Sequence, residues 1–161
     1  MISRRTHPIF LAIALFLLIV SVFASIEAHA DQSKSIAEVN QSAEALDLAF
    51  EKQDVQTIKS LMTSDHIAVT RYYGRPFNVE EQIATLKQLK FSQEMVGKPQ
   101  VSFFSNEVAL RTFRAKEKGS FEGKDIPDDV FVAQLMVKQK GVWRERFYQV
   151  TAFDRVKAKA R

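Results

Sequence analysis

Apolar residues recur with two different periods along this chain, and the change between them constrains the fold more than any other feature. In the first half they fall every three or four positions, as on one face of a helix. From Pro99 onward they fall at every second position, as in a strand. Helices that come first and strands that follow indicate an α+β fold, with the helices packed on a mostly antiparallel sheet.

The first predicted helix has the clearest periodicity. Its apolar side chains step by three and four from Ile36 to Phe50. Ser35 and Glu38 have the spacing of a capping box, which predicts that the helix begins there.

Two shorter helices and one strand are predicted next. Asp54 is the expected N-cap of a second helix whose buried stripe ends at Met62. A strand is predicted over 67–73, and Asn78 with Glu81 predicts the start of a third helix.

The second half of the chain is predicted to form strands joined by tight turns, with one longer loop over 118–128 that contains Gly, Pro and charged residues. The predicted strands cover 101–104, 108–116, 129–138 and 142–153.

The N-terminus has the pattern of a secretory signal peptide. Arg4 and Arg5 precede the apolar run 9–24, and a small-x-small site ends at Ala30. We expect cleavage after Ala30 and a secreted or periplasmic protein. The alternative is that the run remains as a membrane anchor, although it is short for a span. The predicted organisation is a signal peptide over 1–30, one domain over 31–154 and a basic tail over 155–161.

Composition excludes several classes of protein. The 161 residues include no Cys, so disulfides, thiolate metal sites and a Cys nucleophile are excluded. The net charge of +4 is a mild excess and the sequence has no basic–aromatic motif, so a nucleic-acid binder is not expected. The phenylalanines of the strands are therefore expected in the core or in a dimer contact: Phe103, Phe104, Phe113 and Phe131.

Several short strings occur in an order that resembles the nuclear transport factor 2-like superfamily, also called SnoaL-like or ketosteroid isomerase-like. They are the segment 50–54, Gly74 after the first strand, and the turn 105–110. The most specific is 141–151, with a Gly turn, Trp and a basic residue, and then Gln near the strand end. The resemblance covers about residues 36–153 and is closest to the small stand-alone members.

The resemblance implies a cone-like fold in which a strongly curved sheet wraps around the N-terminal helices. It also implies a pocket at the open end and pairing of two copies through their sheets. Fold alone does not fix function.

Ketosteroid isomerase, a member of the resembling superfamily, uses an Asp as general base, with a Tyr and a protonated Asp as hydrogen-bond donors. By resemblance, the base position falls on Arg71 or Thr70, and the Tyr position falls on Leu46. None of these can act in that role. We therefore expect a hollow that lacks the carboxylate with which such relatives move a proton.

Other chemistries have weak candidates. After the predicted cleavage His66 is the only His, and it is expected to be a polar residue at a helix-to-strand junction without a recognised partner. No metal site or cofactor is expected, because the sequence has neither a ligand cluster nor a Gly-rich phosphate loop. If the chain is an enzyme, His66 and Glu145 are the catalytic candidates, with Arg114 a further one.

Polar side chains on the predicted strands are the candidate ligand contacts. Alternation places Glu145 and Gln149 on one face of the last strand, so both could point into the cone or both could lie on a solvated face. Gln134 interrupts an apolar strand. The full set of candidate ligand-binding residues is Arg71, Tyr72, Arg114, Gln134, Glu145 and Gln149.

These observations favour an exported, non-catalytic protein that binds a small ligand of apolar or mixed polarity, as a homodimer. One alternative is an enzyme of the isomerase, cyclase or dehydratase type that transfers a proton on a small carbonyl substrate. A second is a membrane-anchored structural module of an envelope complex.

Overall fold

The structure of the protein is a computed structural model, and it describes residues 31–126 and 129–152. The predicted signal peptide and the predicted tail lie outside the described residues. The chain divides into two compact units, Met1–Ala37 and Glu38–Arg161. In the first unit, residues 31–37 are helical. The helices and strands named below belong to the second unit, except for the first residues of helix α1. That helix begins at residue 31, which belongs to the first unit.

The second unit confirms the predicted α+β class. In the described part of the chain, three helices accompany a strongly curled mixed sheet of seven strands. The helices are α1 (31–51), α2 (Val55–Leu61) and α3 (Val79–Thr85), with a 3₁₀ turn over Leu86–Gln88. The strands are β1 (Met62–Val69), β2 (Phe77–Asn78), β3 (Leu89–Ser105), β4 (Val108–Phe121), β5 (Lys124–Asp125), β6 (Asp129–Gln139) and β7 (Val142–Ala152).

The order of the sheet is β2-β1-β7-β6-β4-β3, with β5 paired to β4. All pairings are antiparallel except that of β1 with β7, which is parallel. The parallel pair brings the strand after α2 beside the last strand of the chain. Residues far apart in sequence therefore meet at the centre of the sheet.

Two predicted caps are confirmed. Asp54 accepts hydrogen bonds from the backbone N–H groups of Gln56 and Thr57, both at 3.1 Å. Asn78 and Glu81 form a reciprocal capping box with bonds of 3.0 and 2.9 Å. Each cap satisfies N–H groups that the first helical turn leaves unpaired.

Two predicted helix boundaries are wrong. The first helix is already helical at residue 31, so Ser35 is inside it and is not its N-cap. Met62 is extended and begins β1, which ends at Val69 instead of Tyr73. Tyr73 instead lies in the turn that follows β1.

The hairpin of β3 and β4 is much longer than predicted: β4 extends into the predicted loop 118–128, and β3 begins at Leu89 instead of residue 101. β3 has 17 residues and β4 has 14. Gly119 makes the extension possible: its φ is 140°, and a Cβ there would lie 1.8 Å from the Lys90 carbonyl oxygen. Only glycine fits this close approach of two backbones.

A β-bulge in β7 overturns one prediction about side-chain direction. Met136 pairs with Glu145, but Leu135 pairs with Phe147, so Arg146 is an extra residue. Beyond the bulge the inward face changes register. Glu145 is therefore buried and Gln149 exposed, and the prediction that they share a face is wrong.

Helix α1 packs on the sheet through small and branched residues. Val39 and Ala43 lie against Met136 and Trp143, and all four are buried. The Ser42 hydroxyl donates a hydrogen bond of 2.5 Å to the Trp143 carbonyl oxygen. This contact fixes α1 against the last strand, and the next turns of α1 then reach the site described below.

Candidate functional site

A narrow cavity lies where α1, the turn after β1, α3 and the curled sheet meet. Its volume is about 30 Å³, which is room for roughly two water molecules. Its walls are formed by five aromatic rings, two carboxylates and a few neutral groups. They are Leu46, Asp47, Phe50, Thr70, Tyr72, Tyr73, Gln82, Leu89, Phe91, Glu145 and Tyr148.

Glu145 is the carboxylate on the sheet side of the cavity, and it is paired with a buried histidine. His66 is 0% exposed, and its Nε2 lies 2.9 Å from Glu145 Oε1. The Gln82 side-chain nitrogen lies 3.1 Å from His66 Nδ1. If the Gln82 amide donates there, Nδ1 is the acceptor and the proton is on Nε2, which donates to Glu145.

The second oxygen of Glu145 continues the hydrogen-bonded chain into the sheet. Gln134 donates from Nε2 to Glu145 Oε2 at 2.8 Å, and Gln134 Oε1 accepts from Arg111 Nη1 at 2.5 Å. Arg111 also donates from Nε to Asn40 Oδ1 at 2.9 Å. Both oxygens of Glu145 are therefore occupied, as a buried carboxylate requires.

Asp47 is the carboxylate on the helix side of the cavity, and its surroundings are different. Among residues 31–126 and 129–152, no group donates a hydrogen bond to it; the groups that act on it are charges. Burial raises the pKa of Asp47 to about 7, and the negative charge of Glu145 adds to this, while Arg111 opposes it. Asp47 also borders a groove of about 210 Å³ on the outer side, so solvent can reach it.

A third carboxylate lies behind the cavity wall. Glu117 is 1% exposed, and its Oε1 accepts a hydrogen bond of 3.1 Å from Gln93. Its Oε2 has no hydrogen-bond partner in the described part of the chain. Burial raises the pKa of Glu117 to about 7.

Three tyrosines line the cavity, Tyr72, Tyr73 and Tyr148. Burial raises the pKa of Tyr72 and of Tyr148 well above the ordinary value, and nearby carboxylates act in the same direction. Both hydroxyls therefore keep their protons throughout the neutral range. They can donate hydrogen bonds to an acceptor in the cavity.

The structure places the predicted ligand contacts in three different environments. Tyr72 and Glu145 line the cavity, and Gln134 lies behind Glu145. Arg71 is exposed beside an outer groove of about 550 Å³ that shares Tyr72 with the cavity.

The other two predicted contacts lie on the solvent side of the sheet. Arg114 forms an ion pair with Asp129, with 2.8 Å from Nε to Oδ1. Gln149 is exposed, since the bulge in β7 turns it outward.

The prediction for His66 was wrong in both parts. The residue lies inside β1 instead of at a junction, and it has two hydrogen-bond partners, Glu145 and Gln82. The expectation of a hollow without a carboxylate is also wrong, because Asp47 and Glu145 both line it.

Sequence reasoning missed Asp47, Arg111 and Glu117. A signal for the last two was present, because they fall on the same alternation of β4 as buried Phe113 and Ala115. A charged residue at an inward position of a strand marks either an ion pair or a site. The sequence around Asp47 does not mark it as a site residue, since a single acid beside the apolar stripe of a helix is common.

Within the described residues, no group of three or more His, Asp or Glu side chains is arranged to hold a metal ion. A search of the same residues finds no helix with the length and apolar character that a membrane span requires.

Sequence comparison adds nothing to these observations. No model of a known protein family matches the chain. No curated protein sequence matches it either.

Comparison with solved structures identifies the fold. An NTF2-like protein from Cytophaga hutchinsonii is 14% identical and matches with a TM-score of 0.63 over 71% of this chain and 95% of its own. A proposed dehydratase of the NTF2-like family from Streptomyces avermitilis is 13% identical, with a TM-score of 0.64 over 76% and 99%.

A third similar structure is the hexachlorocyclohexane dehydrochlorinase LinA-type3 from Novosphingobium barchaimii. It is 13% identical, with a TM-score of 0.63 over 76% of this chain and 89% of its own. At these identities the likeness concerns the fold alone. The chain has the nuclear transport factor 2-like fold.

Proposed function

We propose that the protein is a proton-transfer enzyme that acts on a small carbonyl compound, with Asp47 as the general base. One observation carries the proposal: a carboxylate that accepts no hydrogen bond from the described residues lines a cavity that three tyrosines also line. A base works best when its pKa is near the working pH, and that of Asp47 is about 7.

The reaction class follows from the groups that face each other. Asp47 takes a proton from the carbon next to the carbonyl group, and negative charge develops on the carbonyl oxygen. Tyr72 or Tyr148 donates a hydrogen bond to that oxygen, and the aromatic walls contact the apolar part of the substrate. The intermediate then either regains the proton at another carbon, which is isomerisation, or expels a leaving group, which is elimination.

Two of the similar structures support this class. One carries the description of a proposed dehydratase and another that of a dehydrochlorinase, and both names denote eliminations. Glu145 has a supporting role in this proposal. Both oxygens of Glu145 accept hydrogen bonds, so Glu145 does not take a proton from the substrate. Its negative charge instead raises the pKa of Asp47, which favours the proton that Asp47 has taken.

The size of the cavity bears on the substrate. Space for two waters does not hold even a small ketone, so binding requires a side chain to move. Tyr72 separates the cavity from the groove of about 550 Å³, and its displacement would join the two. The substrate is then a compact molecule with an apolar body and one carbonyl oxygen.

The test is hydrogen exchange. The full chain is incubated in D₂O with a panel of small ketones, β-hydroxyketones and β-haloketones, and loss of the α-hydrogen signal is followed by proton NMR. We expect faster exchange for at least one compound, and a loss of that rate of roughly 10²- to 10⁴-fold in Asp47→Asn. Glu107→Gln, an amide substitution at an exposed turn, is the matched control and keeps the rate.

Exchange that is equally fast in Asp47→Asn would refute the assignment of the base. Exchange that never exceeds the rate in buffer would refute the enzymatic proposal. In the second case, compounds of the panel that raise the melting temperature would support the non-catalytic binding function instead. The saturated hydrogen bonding of Glu145 is the observation that favours that second function.

Export and dimerisation are further parts of the proposal. The N-terminal pattern supports secretion after cleavage, and an intact mass equal to that of a chain beginning at Asp31 would distinguish this from a retained anchor.

Phe104 is 68% and Phe131 40% exposed, which supports pairing through the sheet. A monomeric mass by light scattering at micromolar concentration would contradict such pairing.

A further inference from the structure

Glu117 is a buried acid for which the proposed reaction has no direct use. It lies on β4 directly opposite Gln93 of β3, and it does not line the cavity. One carboxylate oxygen is bound by the Gln93 amide and the other has no partner among the described residues. A buried carboxyl group left half-satisfied costs stability, which indicates a role other than holding the fold.

The Glu117 carboxyl group reaches the cavity through one side chain, Tyr148. The Tyr148 ring lines the cavity, and its hydroxyl oxygen lies 3.5 Å from Glu117 Oε1. The Gln93 amide nitrogen lies 3.3 Å from the same hydroxyl oxygen. Because Gln93 is the donor in that contact, the Tyr148 hydroxyl does not donate to Gln93. Its single proton can then point toward Glu117 or into the cavity.

The bond from Tyr148 to Glu117 is long, so the direction of this proton depends on charge. An ionised Glu117 attracts the hydroxyl proton, and the phenol then has no donor for a ligand. A neutral Glu117 attracts it much less, and the phenol is free to donate into the cavity. The other ionisable groups that act on Tyr148 are Tyr72, Asp47, Glu145 and Arg111, and among these the pKa of Asp47 is also raised to about 7.

We propose that Glu117 is a positioning residue: its protonation state decides whether the Tyr148 hydroxyl donates to Glu117 or to an acceptor oxygen in the cavity. The cavity is then competent for a carbonyl ligand when Glu117 is neutral and Asp47 is ionised. Burial raises both pKa values to about 7, so both acids can exchange a proton in the neutral range.

Proton balance is complete within the site. When an enolate oxygen takes the proton of Tyr148, Glu117 returns one to the phenolate and becomes ionised, while Asp47 carries the proton removed from carbon. The number of protons on the site is therefore unchanged at the enol stage. When the carbonyl group forms again, the enol proton returns through Tyr148 to Glu117, and Asp47 gives its proton to another carbon in isomerisation or to the leaving group in elimination.

The inference rests on the proposed function for its meaning, but its test needs no turnover. The chain has three tyrosines, so protein labelled with ¹³C at tyrosine Cζ gives three lines, and Tyr148→Phe identifies one of them. The titration is performed in the Asp47→Asn background, which removes the other acid of similar pKa. We expect the Tyr148 line to shift with a midpoint near pH 7, and to stay flat across the neutral range in Asp47→Asn/Glu117→Gln.

A second variant covers the case in which that double substitution does not fold. Gln93→Leu removes a hydrogen bond that lowers the pKa of Glu117, so the midpoint of the Tyr148 line moves to higher pH. A flat Tyr148 line in Asp47→Asn, a step that survives Glu117→Gln, or an unmoved midpoint in Gln93→Leu would each overturn the inference. Failure of the exchange assay with Asp47 would leave these results unchanged, so the two proposals fail separately.

Discussion

The carboxylates around the cavity fall into two regions that differ in how well their oxygens are satisfied. On the sheet side, Glu145 accepts hydrogen bonds from His66 and Gln134 on its two oxygens. On the helix side, Asp47 accepts none from the described residues, and Glu117 of β4, behind the cavity wall, has one oxygen without a partner among them. Burial thus accompanies a fully hydrogen-bonded carboxylate in one place and acids whose pKa is raised to about 7 in the other.

The two groups of carboxylates are expected to have different roles, one in stabilising the cavity and the other in exchanging protons. The chain from Gln82 through His66, Glu145 and Gln134 to Arg111 joins α3 and four strands, and it fixes where the cavity walls lie. Asp47 then lines a preformed cavity and Glu117 lies behind its wall, so that either acid can gain or lose a proton without unfolding the cavity. Stability should therefore depend most on the first group, and pH dependence most on the second.

The largest effect is expected from Glu145→Leu. It leaves the Nε2–H of His66 and the amide of Gln134 buried without acceptors, and it removes an anion near Arg111. We expect a loss of about 3 kcal/mol in the free energy of unfolding by urea at neutral pH.

The control for this variant is Asp65→Ala, which breaks the exposed ion pair with Arg146. That substitution should cost less than about 1 kcal/mol. Equal losses in the two variants would mean that the buried chain is not the frame of the cavity.

A smaller effect is expected from Gln82→Leu. It removes the hydrogen bond to His66 Nδ1 but leaves Glu145 and Gln134 paired. The expected cost is about 1–2 kcal/mol, since one buried acceptor loses its donor. Gln88→Leu, at an exposed position of the 3₁₀ turn, is the matched control and should change the free energy of unfolding by less than about 0.5 kcal/mol.

The smallest effect concerns the pH dependence of stability. The pKa of Glu117 is higher in the folded than in the unfolded state, so the folded state binds more protons between about pH 4 and pH 7. Its favourable contribution is complete below that window and is lost as the pH rises through it. Between about pH 5 and pH 8 the wild type should lose on the order of 1 kcal/mol more than Glu117→Gln.

Chemical denaturation of both proteins at several pH values measures this difference. Asp47→Asn should also lessen the loss of stability as the pH rises, because burial raises the pKa of Asp47 as it raises that of Glu117. Parallel curves for the wild type and both variants would show that neither acid holds a proton near neutral pH.

Much of this fold was predictable because its signals are local. The caps at Asp54 and Asn78 and the alternation of β6 follow from neighbouring residues. The extension of β3 and β4 was not predictable in this way. It depends on the close approach of Gly119 to Lys90, which only the paired strands reveal.

The site was predictable only in part, for the same reason. Tyr72, Gln134 and Glu145 were found as polar residues within predicted strands, and all three lie in or beside the cavity. Gln149 was misplaced, because a bulge breaks the alternation that the prediction assumed. Asp47 carries no local mark, since its unusual environment is created by residues that α1 meets only in the folded chain.

The most direct test of the account is the titration of Asp47 itself. Carboxyl ¹³C NMR of the full chain, with Asp47→Asn to identify the resonance, measures the pKa without any ligand. The account predicts a midpoint near pH 7 that moves lower in Glu145→Gln, because a neighbouring negative charge is removed. A midpoint near the ordinary carboxyl value of about pH 4 in the wild type would contradict the claim that this cavity holds an acid able to exchange its proton at neutral pH.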